Sequence, residues 1–216
     1  MSKADSPVTK TWMPPDPDHR LRRHVPAKAL RYCITLQCIY GFSLRISPPR
    51  RSKWGDYRCR KSKHGVHHSI SVNANLNIYA FLITYLHEVA HLRATQQHGF
   101  NLPPHGAHWK SCFRQLLVPV LTGTVFPTEI LEALRQYAKN PRASTGAHPQ
   151  LTLALQHYDR PTAQVALNSV PVGKQFTFRS RPYVKIKVRR TRALCEDTLN
   201  RKQYLILETA LVDLPD

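Results

Sequence analysis

The chain has 216 residues, 42% of them hydrophobic, which suffices for one good core with a small appendage but not for two full-sized domains. Thirty-two Lys and Arg against 13 Asp and Glu give a formal charge of +19, which points to a polyanionic partner, nucleic acid being the commonest kind. Five cysteines, an odd number without a C-x-x-C pair, argue against a disulfide framework or a Cys-rich zinc ribbon. With no apolar run near the ~18 to 20 residues of a membrane span and no apolar core in the first twenty residues, the expected setting is the cytoplasm, nucleoid included.

Residues 1–18 hold four prolines among polar residues without periodicity and read as a disordered N-terminal tail. From Pro26 the spacing of Leu30, Cys33, Ile34, Leu36 and Ile39 predicts a helix that stops at Gly41. Phe42 to Ser47 alternates like a strand, Pro48 and Pro49 break it, and the stretches around Tyr57 and from His68 to Val72 read as further short strands. Leu76 to Thr95 is the strongest helix prediction, an apolar stripe behind an Asn-rich start. A Pro-, Gly- and His-rich loop leads to a helix over Ala107 to Leu117, and two more are expected over Glu129 to Tyr137 and Gln150 to Tyr158. After Pro161 the pattern turns to strands at Phe176 to Phe178, Tyr183 to Val188 and Tyr204 to Glu208. The fold class read from this order is α+β, with helices packed on a small sheet over residues 19–160 and a small basic β unit over 161–216.

His87-Glu88-Val89-Ala90-His91 lies on the strongest predicted helix. Positions i and i+4 share a helix face, so both imidazoles can reach one zinc ion, while Glu88 stands beside them to take a proton from a water acidified by that ion. This is the chemistry of amide hydrolysis. A catalytic zinc needs a third protein ligand. There is no Asp or Glu between Glu88 and Glu129, and the metzincin positions hold Ala94 and Gln97, leaving His98, His105 and His108. Of these, His105 sits between Pro104 and Gly106 at the mouth of the next helix, where the loop best allows its ring to swing back.

These residues resemble the SprT-like metallopeptidases, the family that includes the Spartan-type DNA-repair proteases. The resemblance is carried by HEVAH with the later Pro104-His105-Gly106-Ala107-His108-Trp109, by Lys53-Trp54-Gly55-Asp56-Tyr57-Arg58, by Ser71-Val72-Asn73, and by Arg190-Thr191-Arg192 with Cys195. It spans the chain from about residue 20 onward, in the form seen in bacterial members. It implies a minimal zincin core, one Zn2+ held by His87, His91 and His105, Glu88 as general base and acid, and protein substrates. It also implies that the strand over His68 to Val72 is the edge that pairs with substrate. Cys195 stands alone, so the second zinc site of many members is not expected. Tyr57 and His108 are candidates for contacting the oxyanion or the substrate.

The basic residues cluster. Arg50, Arg51, Lys53, Arg58 and Arg60 flank the expected active-site sheet, while Lys185, Lys187 and Arg189 alternate with Val184, Ile186 and Val188, with Arg190 and Arg192 beyond. That pattern predicts one basic and one buried strand face, and a groove for DNA or another nucleic acid with Trp54, Tyr57 or Tyr183 available to stack on bases. The competing function is a nucleic-acid-binding protein that holds zinc without catalysis, for which a carboxylate at position 88 would have no use.

Overall fold

The computed structural model describes residues 20–50, 53–63, 65–143 and 148–215. The expected N-terminal tail and Arg51 lie outside them. Helix α1 (Ala27–Tyr40) starts after Pro26, buries Ala29, Leu30, Cys33 and Leu36, and stops where Gly41 turns left-handed (φ 60°) and donates its N–H to Gln37 O. Strand β1 (Phe42–Ser47) follows, and β2 (Gly55–Ser62) and β3 (Gly65–Asn73) form an antiparallel hairpin. β1 pairs in parallel with β3, so the sheet order is β1-β3-β2. The strand over His68 to Val72 is therefore central rather than an edge, and β2 is the edge nearer the histidines. Alternation told which residues face the core, but not which strand pairs with which.

Helix α2 (Ile78–His98) is capped by Asn77, whose side-chain oxygen accepts from the N–H groups of Tyr79 and Ala80, a cap worth ~1 kcal/mol. Twelve of its residues are buried, from Ala80 to Ala94, so it runs through the core with apolar contacts on most sides instead of showing the single stripe expected. The sheet covers one side of it and α3 (Ala107–Leu117) another, while Tyr85 Oη donates to Cys33 O of α1 at 2.8 Å. Helices α4 (Thr128–Lys139) and α5 (Pro149–Gln156) close the lobe; Asn77 Nδ2 donates to Leu155 O at 2.9 Å.

The C-terminal region has its own core of Leu167, Val170, Phe176, Tyr183, Ala193, Cys195, Ile206 and Val212. Short β4 (Val165–Ala166) pairs with β9 (Leu211–Val212), and β5 (Gln175–Phe178), β6 (Arg181–Arg189), β7 (Arg192–Asp197) and β8 (Gln203–Leu207) make an antiparallel meander. β7 escaped the sequence reading because its inward residues include Ala193, Cys195 and Asp197, which carry no strong strand signature. The described residues taken together are of mixed α+β class.

One sequence expectation fails in β6. The register slips between Lys185 and Lys187, leaving Ile186 as the extra residue of a bulge. Lys185 consequently points inward, 1% exposed, while Ile186 and Val188 are 38% and 47% exposed. Lys185 does not belong to the basic face. Its Nζ donates to Leu167 O at 2.8 Å and meets Glu208 Oε1 at 3.1 Å. Tyr183 is likewise buried and offers no stacking surface.

Candidate metal centre

His87 and His91 project from one face of α2, one turn apart, and His105 reaches them from the loop before α3. That loop holds His105 at φ 60°, a left-handed conformation that costs a non-glycine residue on the order of 1–2 kcal/mol. The sequence signals for a swung-back histidine were the flanking Pro104 and Gly106. The outcome is a triangle of Nε2 atoms: His87 to His105 is 3.0 Å, His91 to His105 is 3.0 Å, and His87 to His91 is 3.2 Å.

This triangle is not satisfied by hydrogen bonds among its members. Each neutral Nε2 either carries a proton or offers a lone pair, so among three of them two must be alike, and at least one contact sets donor against donor or acceptor against acceptor. Protonating the rings is no remedy. Burial lowers all three pKa values, holding His91 at about 4 and His87 well below the usual histidine range, with the neighbouring imidazoles adding to the effect for both. Three lone pairs aimed at a cation resolve the conflict. Zn–N bonds of ~2.0–2.1 Å at near-tetrahedral angles separate ligand nitrogens by about 3.3 Å, and the observed sides lie within a few tenths of that. The donor set fits a metal ion of the kind that neutral imidazoles hold.

Trp109, 2% exposed, braces the cluster from beneath, its ring centroid 4.6 Å from those of His87 and His105 and 5.4 Å from that of His91. Its indole N–H donates to His87 O at 3.3 Å. From the sequence Trp109 belongs to the segment that carries the resemblance, without a role at the cluster; its place four residues after His105 was the available signal.

Glu88 is 7% exposed and lines the same cleft as the histidines. Burial first, and the Asp56 charge second, push its carboxyl up to about 8, against the Tyr57 backbone N–H and the charges of Arg50 and Lys53. The start of β2 is pressed onto it. A Cβ at Gly55 would come 2.4 Å from Glu88 Oε1 and 2.7 Å from Thr84 Cγ2, so only glycine fits there. The cleft, of about 710 Å³, opens between Lys53 to Tyr57 on one wall and Thr152, Gln156, Leu207, Thr209 and Ala210 on the other. Those last residues were absent from the sequence reading, because no local pattern says that a separate β unit borders the site. Gln156 Nε2 donates to Thr209 O at 2.9 Å and ties α5 to the β unit within that wall.

The remaining candidates separate. Tyr57 reaches the cleft, its ring parallel to that of His91 at 6.5 Å, but its hydroxyl pairs with His68 Nδ1 at 2.9 Å and with Thr95. His108 packs against His98 with ring centroids 3.9 Å apart and planes tilted by 34°, apart from the triangle. Arg50 is committed to Asn73 Oδ1 (2.8 Å) and Ser71 Oγ (3.0 Å), and Lys53 and Arg58 share Asp56. Arg60, Lys187, Arg189, Arg190 and Arg192 are exposed. No helix among the described residues is long and apolar enough to cross a membrane. No protein-family model, curated protein or solved structure matches the chain.

Proposed function

We propose that the chain is a zinc metalloendopeptidase of SprT-like type, with a zincin-like core, acting on proteins associated with or crosslinked to DNA. The observation that carries this reading is the Nε2 triangle of His87, His91 and His105 set beside a buried Glu88 at the wall of an open cleft. A zinc ion held there supplies Lewis acidity and lowers the pKa of water towards 7.

The chain's own residues do the rest. Glu88, buried beside the three histidines at the wall of the cleft, is placed to accept a proton from the attacking water and return it to the leaving amine. Gly55 and the Tyr57 N–H fix where that carboxylate points. β2, an edge strand of its sheet, walls the cleft beside the site. The formal charge of +19, with Arg60 and Arg190 exposed, supports recruitment to a phosphate backbone.

Incubating the zinc-loaded protein with a DNA-crosslinked protein substrate, beside Glu88→Gln, tests the reading. Glu88→Gln should keep its zinc and lose cleavage by ~10²-fold or more. Equal inertness of both proteins, each binding zinc and DNA, would leave the non-catalytic reading.

A further inference from the structure

Two edge strands among the described residues, β2 and β8, are built differently. β2 carries Asp56, Arg58, Arg60 and Lys61, charges of the kind that discourage another strand from pairing. β8, the outer strand of the C-terminal meander, reads Gln-Tyr-Leu-Ile-Leu, without a charge or a proline. Tyr204 and Leu205 are 39% and 48% exposed.

Hydrogen-bond parity shows which groups of β8 are committed. Asp197 N–H donates to Lys202 O and Glu208 N–H to Thr191 O, so the even-numbered residues of β8 bond to β7. The N–H groups of Gln203, Leu205 and Leu207 therefore point away from the sheet. On the carbonyl side, Leu205 O accepts from Arg192 Nη1 at 3.3 Å and Leu207 O from Ala210 N–H at 2.9 Å.

The open face beside this edge has a defined chemistry. Cross-strand partners place Lys187, Leu194 and Leu205 in one row and Arg189, Arg192 and Leu207 in the next. Leucines line the edge and cations stand behind them. No aromatic ring lies in these rows to stack on a base, which favours an aliphatic and acidic polypeptide over a nucleic acid. The strand also leads somewhere: Leu207, its last residue, lines the cleft with Thr209 and Ala210.

We infer that β8 is a strand-addition site, where an extended, acidic and apolar segment of polypeptide pairs with the free edge and is led towards the cleft at Leu207. That the segment belongs to the substrate rests on the peptidase reading; the pairing itself does not.

Leu205→Pro removes an outward N–H while leaving every β7–β8 bond in place, a change edge strands tolerate. Anisotropy of a fluorescein-labelled peptide of alternating Glu and Val would be measured on the full-length Glu88→Gln protein, which needs no cleavage. The Leu205→Pro addition should weaken binding about tenfold or more. Leu205→Glu, which sets a like charge against the peptide and keeps the backbone intact, should do the same and decides the matter if circular dichroism shows the proline variant unfolded. Unchanged affinity in a folded variant overturns the proposal. So does displacement of the peptide by a single-stranded oligonucleotide whose own binding ignores both Leu205 variants, which gives the face to nucleic acid. A dimer in sedimentation velocity that Leu205→Pro dissolves also overturns it, giving the edge to a second copy of the chain. Should the wild-type zinc protein cleave nothing while Leu205→Pro still releases the peptide, strand addition stands and the peptidase reading falls.

Discussion

Each region of the molecule buries a polar cluster, and the two clusters are opposites. In the β unit, Lys185 is matched by Glu208 and the Leu167 carbonyl, a charge with its counter-charge and acceptor in hand. In the helical region, three imidazoles meet with no acid among them and no pattern of protons that satisfies all three contacts. A buried cluster that is complete is structural. One whose members cannot satisfy one another, and that borders an open cleft, is arranged for something from outside.

The largest expected effect separates the two. Lys185→Ala leaves the Glu208 carboxylate buried without its partner and should destabilise the protein by ~3–5 kcal/mol in urea denaturation, whereas Lys185→Met with Glu208→Leu should recover most of that. Zinc content per folded molecule should not change in either. His105→Ala should behave in reverse. Removing one member of a mutually unsatisfied trio costs the metal-free protein little, while zinc affinity in a chelator competition should fall by more than the ~10–100-fold that loss of an outer-shell partner typically costs. Retained affinity would show that His105 is no ligand.

Gly55→Ala tests how the carboxylate is positioned. The added Cβ would lie 2.4 Å from Glu88 Oε1, so Glu88 must move. Cleavage should drop by roughly 10²-fold through kcat, with zinc content intact.

The smallest effect is the pH dependence of metal-free stability. His87 and His91 have folded pKa values below their unfolded value near 6.5, so their contribution is present above that pH and is lost as pH falls towards about 4. Glu88 runs the other way: with its pKa raised from 4.5 to about 8, its contribution is lost as pH rises through 8. The melting temperature of the chelator-treated protein should therefore peak between pH 6 and 7, and a steady rise from pH 5 to 9 would contradict these assignments.

Much of the candidate site was legible in advance. The i, i+4 spacing of His87 and His91 is a property of any α-helix, and Pro104 and Gly106 marked a loop able to carry His105 to φ 60°. The carboxylate desert from Glu88 to Glu129 narrowed the third donor to histidines. What misled was pattern without pairing. Alternation along β6 suggested a single basic face, but one bulge at Ile186 reverses the sides and sends Lys185 into the core. Likewise, His68 to Val72 was rightly a strand and wrongly an edge, because β1 occupies its other side.

The sequence by itself determined the helices, the Asn77 cap and the shared helix face of His87 and His91, since each depends on neighbours within a turn, and it fixed the overall charge. Only the tertiary structure decided that Gly55 must be glycine, that Trp109 braces three rings, that Lys185 is buried and that Leu207, Thr209 and Ala210 wall the cleft. Those features depend on contacts between separate segments of the chain, and no local periodicity encodes which segment will arrive.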